Sequence, residues 1–359
     1  DGAHSRVRAA IGANFPGGTY AHRFYVADVV AQGPVTNGEL HVALDDEDFL
    51  GVFPMQGDGH VRLVGTVKQQ ADDAPAPQWA DVQGTALRRL GIEVAQVNWF
   101  STYHVHHRVA APWRQGGTFL LGDAAHLHSP VGAQGMNTGL QDAYNLGWKL
   151  ALVVHGHAHA RLLDSYPAER LPIARRLLAT TDRAFRFVVS ARPLAGLLRT
   201  QILARLAALA MRYPRLQRRA FRTVSQIGIH YRSGPLSLTI PGVPDDAPRA
   251  GDRFPWLHLR FAPDGPPEDL YARLDDTRFT LIVLGQPAPA GALPLPGALL
   301  ALLAVPAGAD NDAELARARL PQPAYYLLRP DGHVGCCGCG VVDTATLAAW
   351  LRDTVGLGG

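Results

Sequence analysis

The chain has 359 residues, long enough for two domains, and 47% of them are hydrophobic, enough to build sizeable cores. Its 34 basic and 31 acidic residues leave a formal charge of only +3, which argues against nucleic acid as a partner. No uncharged apolar run is long enough for a transmembrane helix, and no basic-then-apolar leader follows the first residue. The three cysteines, Cys336, Cys337 and Cys339, sit too close together to staple distant segments, so a reducing cytoplasm is the expected compartment.

In chain order, "DGAHSRVRAAIG" reads as a loop and a short helix, with Arg6 and Arg8 close together. "HRFYVADVV", "ELHVALDDEDFLGVFPMQ" and "HVRLVGTVK", within residues 22–68, are β-branched and aromatic runs with Gly and Asp punctuation. They predict an antiparallel sheet. "WADVQGTALRRLGI" predicts a helix over 79–92, and "VNWFSTYHVHHRVA" alternates like a strand over 97–110. "GTFLLGDAAH" predicts another buried strand. From about 138 to 227 the period is helical, clearest in "LQDAYNLGWKLALVVHG", where Leu146, Trp148 and Leu150 read as core. Residues 234–267 are rich in Pro and Gly and read as a linker. "RFTLIVLG", "ALLALLAVPAG", "AYYLLRPDGHVG" and "TATLAAWLRDTV" then predict a compact α/β domain with a hairpin turned at "PDG".

Residues 120–142 carry the chemistry. An apolar strand ending at Gly122-Asp123 would present a carboxylate where the chain leaves the sheet, a good acceptor for ribose or ribityl hydroxyls. Pro130, Gly132 and Gly135 permit a tight turn and close backbone approach to a ligand. Residues Gln134 to Thr138 open a helix, so their N–H groups lack intrahelical partners and favour negative charge. A reduced isoalloxazine carries such charge on its pyrimidine edge. The pattern suits a flavin.

The run "GDAAHLHSPVGAQGMNTGLQDAYNLGWKLALV" closely resembles the second flavin-contacting motif of the single-component aromatic hydroxylases, the flavoprotein monooxygenases of the phenol and para-hydroxybenzoate hydroxylase type. "DGAHSRVR" resembles their other internal motif, and "LLDSYPAERLPIARRLL" their helix after the flavin motif. "AGDRFPWLHL" and "YYLLRPDGHV" resemble the linker and C-terminal thioredoxin-like domain of the phenol-hydroxylase branch. The resemblance implies an α/β plus α+β fold: a partial FAD-binding domain with an antiparallel substrate-binding sheet, and a C-terminal thioredoxin-like α/β domain. The implied layout is a remnant of the FAD-binding domain over 1–20, the substrate sheet over 21–110, the second flavin motif with helices over 111–233, a linker over 234–267 and the thioredoxin-like domain over 268–359.

It further implies hydroxylation of a phenolic or polyketide substrate with FAD, O2 and NADPH or NADH, through a flavin hydroperoxide. Asp123 would bind ribityl or ribose hydroxyls, and Pro130, Gly132, Gln134, Gly135, Met136 and Asn137 would line the flavin. Asp1 and Arg6 would sit near the pyrophosphate and the nicotinamide donor. Ala133 replaces a Gly of the family pattern, tolerable if its φ is negative. Phe53, Met55, Trp99 and Tyr103 are the candidate substrate contacts, and no catalytic residue is named. In this family the first motif follows a βαβ unit that holds the ADP, so the expectation is of a fragment lacking roughly 100–200 N-terminal residues. Such a fragment is expected to aggregate, or to fold only with a complementing piece.

Rival readings remain. One keeps the fold with epoxidation or reduction as the reaction; another is a non-catalytic remnant or binding module. The His clusters "HVHH", "HLH" and "HGHAH" lack Cys or carboxylate partners at zinc spacing, so no metal is expected. Cys336-x-x-Cys339 follows a hairpin rather than opening a helix and reads as incidental thiols. Residues 183–244 hold 11 Arg and no acid, and "LAGLLRTQILARLAALAM" within them reads as a packed or dimer-contact helix in preference to a membrane-surface one.

Overall fold

The computed structural model describes residues 1–44, 49–67, 77–82, 87–88, 90–129, 134–188, 209, 212–262, 265–289 and 298–357. Pro130, Gly132 and nearly all of the apolar Arg-flanked stretch at 194–211 therefore lie outside the described residues. The chain divides into two compact units. The first comprises Asp1–Pro112, Gly122–Met136 and Ala174–Val224; the second comprises Trp113–Leu121, Asn137–Ile173 and Ser225–Gly359.

The first unit holds helix α1 (Arg6–Ala10) and a six-stranded antiparallel sheet. Its strands are β1 (Gly17–Gln32), β2 (His41–Leu44), β3 (Phe49–Pro54), β4 (His60–Val67), β5 (Glu93–Val109) and β6 (His126–Leu127), in the order β2-β3-β4-β1-β5-β6. Alternation splits the sheet into two faces. Tyr25, Ala27, Val29, Leu50, Val52, Val61 and Leu63 are all buried on one face. Phe24, Val64, Phe49 and Tyr103 lie on the other, in a smaller cluster. Two ends of the sheet matter for the site. Arg108 and Val109 of β5 pair with Leu127 and His126 of β6, and Ala110 N–H donates to Ala125 O at 2.7 Å.

The second unit contains most of α2 (Gly135–Val154), the start of α3 (Ser165–Val188) and a mixed sheet, whereas the other long described helix, α4 (Pro214–Val224), belongs to the first. The sheet's strands are β7 (Leu238–Thr239), β8 (Phe279–Leu284), β9 (Leu300–Val305), β10 (Ala324–Leu328) and β11 (Val334–Cys339), ordered β9-β8-β10-β11-β7. β8 runs parallel to β9 and antiparallel to β10, and β10 is antiparallel to β11. Helix α5 (Ala309–Arg317) connects β9 to β10, and α6 (Thr344–Ala349) follows β11. Every residue of β8 is buried because the sheet has a core on each face. Phe279, Leu281 and Val283 enter one cluster, Ile282 and Leu284 the other. Cys336 and Cys337, adjacent on β11, divide between the same two clusters.

Two expectations change. The strand predicted at "GTFLLGDAAH" shrinks to Thr118–Phe119, paired with Arg114–Gln115. Gly122, at φ 56°, turns the chain into a single 3-10 turn, Gly122–Ala124, where an L side chain would be strained. Leu150 is 37% exposed, whereas its neighbours Leu146 and Trp148 are buried.

Candidate active site

Two short turns in the first unit hold most of the predicted cofactor residues. In the opening turn, the Asp1 carboxylate accepts from the backbone N–H of Arg6 (3.2 Å) and Val7 (2.9 Å) and from Ser5 Oγ. Ser5 Oγ accepts from Arg8 N–H at 2.9 Å, so α1 begins with its orphan donors satisfied. Asp1 thus shapes the turn with its own side chain. Arg6 is exposed.

Arg8 joins this turn to the second one. Its Nη2 donates to Ala3 O at 2.7 Å and its Nη1 to Ala124 O at 3.0 Å, next to Asp123. The guanidinium lies 3.8 Å from the centre of the Phe15 ring. Burial, then repulsion from Arg108, holds Arg8 below the usual arginine value. Arg6 and Arg8 stand close together in the sequence, and the contacts that join the two turns are those of Arg8. The signal available was its position one turn after the cap, where a long side chain can reach back over the turn.

Asp123 is exposed on its turn. His126 is buried two residues after the turn and stacks on His128, with ring centres 5.7 Å apart and planes within 8°. A Cβ on Gly135 would approach His128 Cε1 to 3.2 Å, so this glycine keeps the entry to α2 tight against the second turn. Gln134 is buried, and its side-chain amide donates to Val224 O at 3.0 Å. Met136 (76% exposed) and Asn137 (also exposed) lie on the first turn of α2, Asn137 being the one predicted residue that falls in the second unit.

Three of the four predicted substrate residues share one face of the first unit's sheet. Register places Tyr103 beside Phe24 and Phe24 beside Thr66 in one row across the strands. Four residues further along each strand, Trp99 lies beside Asp28, Asp28 beside Arg62, and Arg62 beside Phe53. Tyr103 stacks near Phe24 at 5.9 Å, and Phe24 near Phe49 at 6.4 Å. Burial raises the Tyr103 phenol above its ordinary value. Between the rows lies Gly51, where a Cβ would come within 2.8 Å of the Phe53 ring. The glycine lets that ring lie flat on the sheet. Asp28 and Arg62 pair at 2.6 and 2.8 Å, and the hydrogen bond from Arg62 lowers the Asp28 carboxyl. Met55, 41% exposed, follows β3 at the hairpin, its N–H bonded to His60 O. The aromatic rows with Phe24 and Phe49 and the Asp28–Arg62 pair were missed, although both charges interrupt otherwise apolar strand runs.

The other motifs behave differently. His106 Nδ1 lies 2.8 Å from Thr19 Oγ1, and burial, then Arg108, lowers its pKa. Burial pushes the Cys336 thiol up to about 12 and the Cys337 thiol up to about 11, which suppresses the reactive thiolate. Among the described residues, no helix is long and apolar enough to cross a membrane.

A family model described as an FAD binding domain matches residues 1–181. The chain is 32% identical to 6-methylpretetramide 4-monooxygenase of Streptomyces rimosus, over 98% of this chain and 65% of that protein. It is 30% identical to pentachlorophenol 4-monooxygenase of Sphingobium chlorophenolicum, over 92% and 56% respectively. Among solved structures, OxyS anhydrotetracycline hydroxylase from Streptomyces rimosus superposes with a TM-score of 0.72 at 27% identity, covering 100% of this chain and 68% of that one. The chain therefore spans about two thirds or less of the length of these relatives.

Proposed function

Since the chain belongs to the FAD-dependent aromatic hydroxylase family, we propose that it carries the flavin and substrate contacts of a monooxygenase acting on a phenol or a polycyclic aromatic polyketide. The observation that carries this reading is the Arg8 bridge: it fastens the opening turn to the Asp123 turn inside the segment matched as an FAD binding domain.

The residues present fit the cofactor. An exposed carboxylate follows a glycine-only turn, and the Gly135 approach leaves no room for a larger side chain without displacing His128. Bound FAD supplies electron transfer and oxygen activation. Asp123 accepts hydrogen bonds from ribityl or ribose hydroxyls. The backbone of Gln134 and the residues Gly135, Met136 and Asn137 present N–H groups that offset negative charge on the flavin's pyrimidine edge. Asp1 holds the opening turn, while Arg6 attracts the pyrophosphate and the reduced nicotinamide, NADPH or NADH. Phe53, Trp99 and Tyr103, extended by Phe24 and Phe49, stack an aromatic ring and exclude water from it, with Met55 at the rim. No side chain is assigned as a general base.

The order β9-β8-β10-β11, with a parallel first pair and helices after β9 and β11, supports reading residues 268–359 as thioredoxin-like. The remaining divisions, the cytoplasmic setting and a homodimer are retained in the same proposal. The test is NADPH and NADH oxidation by FAD-supplemented protein, with and without phenols and polycyclic polyketides. Oxygen-dependent oxidation that rises when substrate is added, with a hydroxylated product, is expected. A rate indifferent to every aromatic tested would defeat the reading.

A further inference from the structure

Helix α4 keeps its charged and apolar side chains on separate sides. Its sequence, PRLQRRAFRTV, has four arginines and no acid, and none of its residues is buried. At 3.6 residues per turn, Arg215, Arg218, Arg219 and Arg222 project from one side. Leu216, Ala220 and Val224, at four-residue spacing, form a stripe on the other, with Phe221 at one margin. Leu216 is 44% exposed and Val224 61%. Both ends of the helix are fixed. Tyr213 O accepts from the N–H of Leu216 (3.0 Å) and Gln217 (3.1 Å), and the Gln134 side-chain amide donates to Val224 O at 3.0 Å, within the first unit. Among the described residues, none of the four arginines pairs with a carboxylate.

A surface helix normally lays its apolar stripe on the core. In α4 the stripe meets solvent, and a helix this short gains little stability in water from propensity alone. An occupant of this surface must supply negative charge to the arginines and an apolar phase to the stripe. The charge requirement is not met locally, because residues 183–244 hold 11 Arg and no acid. A second copy of α4 would bring apolar contact together with the same positive charge. An anionic bilayer supplies both needs at once. Its phosphates meet the guanidinium groups, and its acyl chains take up Leu216 and Val224. Arg218 and Arg219, at the two edges of the arginine side, are spaced to reach the headgroup level while the stripe lies below it. Tyr213, 57% exposed where the helix opens, is an aromatic with a polar tip, the residue type that favours that level. We propose that α4 docks this chain on an anionic lipid surface, lying in its plane. The inference rests on the helix and its charge, and is independent of the flavin and of any substrate.

The test is co-sedimentation of the 359-residue chain with vesicles of phosphatidylcholine alone, or of equal parts phosphatidylcholine and phosphatidylglycerol. Binding to the mixed vesicles should be about tenfold or more tighter than to the neutral ones, and should fall as salt is raised. Arg215→Gln with Arg219→Gln should weaken it about 25-fold, roughly fivefold for each arginine removed. Leu216→Ser with Val224→Ser, which leaves every charge in place, should weaken it about tenfold. All four side chains are exposed, so both double variants are compatible with the fold. The comparison of lipids and the salt series use the unaltered chain and stand even if a variant misfolds. No preference for the anionic vesicles, or binding that neither double variant changes, would overturn the proposal. Sensitivity to the arginine substitutions alone, with soluble polyglutamate displacing the vesicles, would overturn it in favour of an acidic protein partner. Self-association abolished by Leu216→Ser with Val224→Ser, in a chain that ignores vesicles, would assign the stripe to a second copy instead. Since sedimentation reads lipid binding without turnover, neither result bears on the catalytic reading.

Discussion

Arg8 is the residue on which the site's local geometry turns. It donates to two backbone carbonyls, Ala3 O and Ala124 O, and covers Phe15. Hydrogen bonds from a charged donor contribute about 1.5–3 kcal/mol each, less where water competes. Arg8→Ala should therefore lower stability by about 1–3 kcal/mol, on the scale of one such bond in a half-buried setting. Urea unfolding with a tryptophan signal measures it. Arg8→Lys should recover only part of the loss, since an ammonium cannot span two carbonyls as a planar fork does. Full recovery by lysine would mean that charge alone matters and that the bridge does not position the turns. Arg8 was legible as a nearby cation but not as the bridge, because Ala124 lies 116 residues away along the chain.

At the scale of the element, α2 shows where sequence periodicity misleads. Leu146, Trp148 and Leu150 read as core; the first two are buried, yet Leu150 is 37% exposed, on the side where Leu140, Tyr144, Gly147 and Ala151 also face water. Burial is decided by partners that periodicity cannot see: Glu169, Arg170 and Arg329, which come from α3 and the turn after β10. Glu169 is fully buried and accepts from Lys149 at 2.8 Å and from Arg329 at 2.6 Å, while Arg329 also pairs with Asp331. Burial alone would raise the Glu169 carboxyl, but Arg329 and Lys149 outweigh it and bring it down to about 2. Burial lowers the Lys149 ammonium to about 8, against the pull of Glu169, so both groups are charged at neutral pH.

Removing Glu169 strands two cations in the interior, so Glu169→Ala should cost about 3–5 kcal/mol. Chemical denaturation measures the loss; a change below about 1 kcal/mol would show the network to be slack. The pH dependence has a definite sign. A carboxyl depressed on folding adds stability that is complete above its unfolded value near 4.5 and disappears as pH falls through about 2. Stability should thus decline between about pH 4.5 and 2, and the decline should be shallower in Glu169→Gln. Equal slopes in the two proteins would assign the acid transition to other carboxylates. The sheet strands, by contrast, were legible, because alternation over β1, β4 and β5 needs only local sequence and one buried face.

For the whole molecule, the chain order of elements and the second flavin motif could be read from local pattern. The pairing of β7 with β11 could not, because contacts between segments almost 100 residues apart leave no local periodic trace. The same limit hid the aromatic rows of the first sheet, which exist only once register sets Tyr103 against Phe24 and Phe53 against Arg62. The central claim is that the two turns joined by Arg8 form a flavin site with Asp123 as its hydroxyl acceptor. The most direct measurement is the visible spectrum of FAD titrated with the purified chain, wild type beside Asp123→Ala. We expect a saturable perturbation of the flavin bands, and an affinity about 10–100-fold weaker in the variant, the loss of one or two hydrogen bonds to a charged acceptor. An unperturbed flavin spectrum at saturating protein, or identical titrations for the two proteins, would contradict it.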